Sequence, residues 1–142
     1  LGFALGFGVR PGVGWLEIVP LVTVLAAFAT GIGLVLAPLY VRFRDLDQVW
    51  AVALQSTFFT TPIFYVASAL PAPWERILLL ANPVSTILTQ VRHAFVDPSA
   101  PTAATVAGGA VFLLIPLAVV VGTLLAGIAV FRRCAASAAE SV

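Results

Sequence analysis

The sequence predicts an all-α membrane protein, a polytopic set of transmembrane helices with a re-entrant or interfacial helical hairpin before the last span. Three observations predict it. Charge is confined to short clusters, so that residues 18–40, 48–74 and 98–131 contain no Asp, Glu, Lys or Arg. A helix of about 20 such residues is roughly 30 Å long, the thickness of a bilayer's hydrocarbon core. Hydrophobic residues make up 61% of the chain and charged residues 9%, where a soluble domain carries roughly 25% charged. A chain so poor in charge needs lipid as the solvent for much of its surface.

Taken in order, the elements follow from these runs. Residues 1–9 are apolar but too short to cross and lack a positive leader segment. With no methionine in the chain, they are expected to be the end of a span that begins before Leu1. Arg10-Pro11-Gly12-Val13-Gly14 is a turn, and Trp15 sits where an interfacial aromatic belongs. The first full span is expected over residues 18–41. Within it Ala29, Gly33 and Ala37 recur every fourth residue, a stripe that would let another helix approach closely.

The second span is expected over residues 48–69. Ser56, Thr57, Thr60, Thr61 and Ser68 gather on one side, Gln48 and Gln55 on another, and Pro62 should kink or loosen the helix. Hydroxyls at that depth can line a polar path, bond to a neighbouring helix, or bond back to their own backbone.

Residues 71–101 hold two apolar pieces, 74–81 and 84–96, each too short to span. Asn82 followed by Pro83 reads as an N-cap with proline at the first helical position. Such a pair forms a hairpin dipping into the membrane from one side. Val84, Ile87, Leu88, Val91 and Phe95 form its apolar face, opposite Thr86, Thr89, Gln90 and His93. The last span is expected over residues 102–131, kinked at Pro116, with a second stripe of Ala118, Gly122 and Ala126. Residues 132–142 form a polar tail.

Counting crossings places Arg42, Arg44, Arg132 and Arg133 on one side and Arg10, Arg76 and Arg92 on the other. The first four crowd the span ends, so the positive-inside rule puts the Arg42–Asp47 joint and the C-terminus in the cytoplasm and the hairpin outside.

The chemistry that the sequence lacks narrows its function. It has no nucleophile, histidine and acid at workable spacing, no carboxylate pair away from the joints and no phosphate-binding loop. His93 is the single histidine and lies on a polar helical face. Cys134 is the single cysteine and lies in the tail, so no metal site or disulfide is expected. No ionisable residue sits in mid-span, where ion- and proton-coupled carriers place their relays. No basic patch suggests nucleic acid.

With those residues in view, the chain resembles a known family. Val41-Arg42-Phe43-Arg44-Asp45-Leu46, the later Thr61-Pro62-Ile63-Phe64-Tyr65, the run Leu79-Leu80-Ala81-Asn82-Pro83-Val84 and then Gln90-Val91-Arg92 are similar to motifs of type-2 ABC exporter permeases. The similarity covers about residues 40–97 and is closest to the branch that exports polysaccharides such as O-antigen and teichoic acid chains. It implies six spans per permease with both termini cytoplasmic, of which this chain would hold the end of the third and all of the last three. The family's interfacial and main coupling helices would precede Leu1.

The resemblance also implies a bacterial cell (inner) membrane location, a second permease copy, and a separate P-loop ATPase that binds ATP and magnesium, with no cofactor in this chain. Arg42, Arg44 and Asp45 match the family's cytoplasmic loop motif, and Asn82 and Pro83 the break that forms an outer gate. Gln55, Phe58, Phe59, Thr60 and Tyr65 are the candidates for a translocation path. A drug or small-lipid exporter of the same superfamily has the same fold, and a non-transporting membrane scaffold is the reading from another class.

Overall fold

The computed structural model describes residues 16–43, 45–62, 70, 71 and 73–139, with side chains as far as residue 135. The expected features at residues 1–15, at Arg44 and over residues 63–69, Tyr65 among them, lie outside these. The described residues are helical and include no strand.

Helix α1, Ile18–Arg42, is 25 residues long, about 37 Å. Arg42 in its last turn complements the helix dipole. The helix stops where Phe43 turns extended, its N–H still bonded to the Leu39 carbonyl at 2.8 Å. Thr23 and Thr30 donate their hydroxyls to the carbonyls of Val19 and Ala26, which satisfies both in an apolar helix.

Helix α2, Leu46–Thr60, has 15 residues. It ends because Thr61 precedes Pro62, whose ring disfavours helical backbone in the residue before it, and Thr61 is extended at φ −81°, ψ 132°. The second span was expected to continue through a kink at Pro62. The described helix instead ends two residues earlier.

Two short helices lie where the two apolar pieces were expected, the second ending before the expected residue 96. Helix α3, Trp74–Ala81, and helix α4, Pro83–Val91, meet at Asn82. The Asn82 side chain accepts from the Val84 N–H at 3.0 Å, and Pro83 begins the helix where a missing N–H costs nothing. Thr86 Oγ1 donates to the Leu79 carbonyl at 2.6 Å, fixing the angle between the two helices. Beyond α4 the chain widens into a π-helical turn, Arg92–Val96, closed by Asp97 N–H on the Arg92 carbonyl.

The last span is divided rather than kinked. A short helix, α5, Ala103–Ala107, is capped by Thr102 and ended by Gly108 in the left-handed region at φ 84°. A 3-10 turn, Ala110–Leu113, then leads into α6, Leu114–Ala139. The break falls at Gly108 and Gly109, where the backbone takes conformations that favour glycine. Pro116 lies in the first turn of α6, where no intrahelical bond is lost, so it need not bend the helix.

Helices α1 and α6 form the frame. A Cβ on Gly31 would lie 2.8 Å from the Leu124 nitrogen, and one on Gly127 would lie 3.0 Å from Leu34 Cβ and 2.5 Å from the Gly31 carbonyl oxygen. Gly31 meets Leu124 as Leu34 meets Gly127, so the two helices run parallel and in register. Neither predicted stripe makes this seam. Ala29, Gly33, Ala37, Ala118, Gly122 and Ala126 are all exposed, and a Cβ at Gly33 or Gly122 would meet nothing within 4 Å.

The buried residues gather where the hairpin and α5 pack against α6. Leu79, Ala103 and Ala107 are essentially inaccessible there, with Ile87 and Val120 nearly so. Burying a leucine of this kind stabilises by about 1.5–3 kcal/mol. Ser85 is also fully buried, and its hydroxyl has no partner among the described residues.

Candidate functional site

Continuing the α1/α6 register places Arg42 level with the turn of α6 that holds Arg132 and Arg133. It places Glu17 level with Ala110, where the membrane-length helix Ala110–Ala135 begins. Glu17 accepts from Gln90 Nε2 at 2.6 Å, and Gln90 Oε1 accepts from the Ala103 N–H at 3.1 Å, which ties α1, α4 and α5 together at that end. Two helices, Ile18–Arg42 and Ala110–Ala135, are long and apolar enough to cross a membrane, and only 6% and 17% of their apolar windows are buried. The core helix of a soluble protein would be hidden; these face outward over most of their length.

Between α1 and α2 lies a cavity of about 750 Å³. Leu25, Phe28 and Ile32 of α1 form one wall, Trp50, Leu54 and Thr57 of α2 the other, and Val119 and Thr123 of α6 the back. Ala29 and Gly33 also line it. Their small side chains deepen a groove instead of admitting a helix. Asn82 and Pro83 close one end. Along α4 the vertex is about 10 Å from the Gln90–Glu17 bond, so the hairpin reaches down beside α1 and does not lie across its end.

Hydrogen bonds decide the role of the α2 hydroxyls. Ser56, Thr57, Thr60 and Thr61 each donate to the carbonyl four residues back, at 2.6–2.8 Å. Their protons are used, but a hydroxyl oxygen can also accept, so Ser56 and Thr57 give the groove acceptors. Thr61 is different. The residue is 2% exposed, and its hydroxyl oxygen accepts from Asn82 Nδ2 at 3.0 Å, joining the end of α2 to the hairpin vertex.

Of the residues expected at the site, Thr60, Asn82 and Pro83 meet at the groove. Gln55, Phe58 and Phe59 do not line it. They fall on other faces of α2, with Phe58 and Phe59 edge-to-face at 5.7 Å and both exposed. Tyr65 and Arg44 are outside the described residues. Arg42 and Asp45 are exposed at the joint, where the Tyr40 hydroxyl donates to Asp47 at 3.5 Å. Trp50 and Leu54 were missed. Their spacing with Thr57, four and three residues apart, marks one helical face and could have been read. Among the described residues no group of three His, Cys, Asp or Glu side chains could hold a metal.

The fold and site define an all-helical membrane protein with a mainly apolar, hydroxyl-edged groove closed at one end by a helical hairpin. Comparison with known proteins points to a particular group. The chain is 26% identical over 98 residues to an O-antigen export system permease protein RfbA of Klebsiella pneumoniae, covering 68% of this chain and 38% of that protein. A second from the same species is 25% identical over 96 residues, 67% of this chain and 37% of its own length. One from Myxococcus xanthus is 31% identical over 83 residues, 58% of this chain and 32% of its own. The resemblance to O-antigen export permeases read from the sequence is thus shown, and the chain spans about a third of the length of these relatives. No family model and no solved structure matches the chain.

Proposed function

We propose that this chain is part of the membrane-spanning permease subunit of an ATP-driven ABC exporter, and that its cargo is a lipid-linked polysaccharide. The observation that carries the reading is the similarity, over 58–68% of the chain, to three O-antigen export permeases. The geometry supports it in kind. A groove with apolar walls and hydroxyl acceptors suits a cargo with a hydrocarbon and a sugar portion.

In this reading the end that carries Arg42, Arg132 and Arg133 is cytoplasmic, in a bacterial inner membrane, and the hairpin faces outward as a re-entrant gate. Helix α2 is the movable wall. It buries none of its residues and is tied at its far end by the Thr61–Asn82 bond. A separate P-loop ATPase supplies the work, and a second permease copy completes the passage. ATP and magnesium belong to the partner, and this chain acts by opening and closing the groove.

The test is transport of a lipid-linked glycan by the full-length permease in liposomes. Export is expected only with the ATPase and ATP. Export driven by a proton gradient with no ATPase present would overturn the coupling.

A further inference from the structure

Arg76, in the first turn of α3, is held in a way that the groove does not explain. Its guanidinium carbon is 4.1 Å from the centroid of the Phe112 ring. On another flank the chain passes through Gly108, where a Cβ would come within 3.5 Å of the same carbon. A planar cation stacked on a ring is attracted by the ring's electrons and keeps its N–H edge available for other partners. Among the described residues no hydrogen bond or ion pair engages those N–H groups. Glu75, its neighbour in the chain, points about 100° around the helix.

The surroundings say what that edge faces. Ile77, 49% exposed, and Val111, 75% exposed, are the chain neighbours of Arg76 and Phe112, and Trp74 in the same turn is 63% exposed, so apolar side chains are presented outward at this end of α3. Phe112 lies two residues into the membrane-length helix Ala110–Ala135, so the ring sits in the first turn of the last span. A basic side chain whose apolar neighbours face hydrocarbon while its head stays at the boundary is an interfacial arrangement. The donor edge of a guanidinium matches two oxygens of a phosphate.

We infer that Arg76, positioned by Phe112 and Gly108, binds the phosphodiester of an anionic phospholipid at the membrane boundary on the hairpin's side. This inference rests on the membrane reading and is independent of what the groove carries.

The test uses the full-length permease in nanodiscs, without ATPase or glycan, so that its outcome is separate from that of the export assay. Retention of phosphatidylglycerol against phosphatidylcholine is counted by native mass spectrometry. Arg76→Gln is expected to reduce phosphatidylglycerol retention about three- to tenfold, the range for losing an exposed charge-assisted bond. Arg76→Lys and Phe112→Leu should give intermediate losses, because one keeps charge without the fork and the other keeps the fork without its platform. Phosphatidylcholine retention should not change, and millimolar inorganic phosphate should not displace the lipid. Equal retention by wild type and all three variants, or displacement by free phosphate, would overturn the proposal. So would a wild-type protein that shows no preference for phosphatidylglycerol, the result expected if other protein covers this end of α3.

Discussion

Helix α1 meets two of its neighbours in opposite ways. Against α6 its backbone comes so close that a single methyl at Gly31 or Gly127 has no room. Against α2 it stands off across a cavity of about 750 Å³, and α2 buries none of its residues. Both faces of α1 contain small residues, so composition alone does not separate seam from groove. What separates them is whether a partner backbone lies opposite. Where one does, glycine permits dense packing and strong dispersion contact. Where none does, alanine and glycine leave a space that a ligand can occupy.

The largest effect that could break this contrast is expected at the seam. Gly31→Val or Gly127→Val must push α1 and α6 apart, with a loss of about 1–3 kcal/mol or more from overpacking against backbone. Gly33→Ala and Gly122→Ala meet open space and should lose no stability. Thermal unfolding of the purified permease in detergent checks all four. A seam that tolerates valine, or a groove glycine that does not tolerate alanine, would reverse the assignment of the two faces.

A smaller effect is expected where the groove is tied shut. Asn82→Ala removes the α4 cap, worth about 1 kcal/mol, together with the bond to Thr61. Thr61→Val removes the bond and leaves the cap. Both should raise maleimide labelling of a cysteine placed at Thr57, and the double variant should add little to Asn82→Ala. Unchanged labelling in both single variants would mean that the bond does not control access.

The smallest effect sharpens the comparison by serving as a control outside both regions. Asp97 accepts from Ser99 Oγ at 2.6 Å and Ser99 N–H at 2.9 Å, and these bonds hold its carboxyl below the usual range. Because the folded pKa is depressed, the turn's contribution is present above the ordinary carboxylate value, about 3.9, and is lost as pH falls through the lower folded value. Ser99→Ala should move the Asp97 titration up toward that ordinary value in carbon-13 NMR and leave groove labelling unchanged. An unmoved titration would mean that Ser99 does not set it.

Local features of the chain were legible without any structure. The charge-free runs gave two membrane-length helices, and the Asn82-Pro83 pair gave the hairpin vertex, because capping and proline geometry act over a few residues. The end of α2 at Thr60 was half legible, since Pro62 was seen but read as a kink. The break at Gly108 and Gly109 was missed because an apolar run says nothing of backbone sign, and a proline is a more visible signal than a left-handed glycine. The hydroxyls of α2 left three readings open, and only the coordinates assign each donor to its own carbonyl.

By itself, then, the sequence determined that this protein is helical, that its surface belongs in lipid, where its charges cluster and where its hairpin turns. These are properties of single segments and of the solvent they need. Only the tertiary structure decided that α1 and α6 pack against each other, that Gly31 and Gly127 are the contact while Gly33 lines a groove, and that Asn82 reaches Thr61. Each of these depends on which residues face each other across helices distant in sequence, and a helix's own periodicity carries no record of its partner.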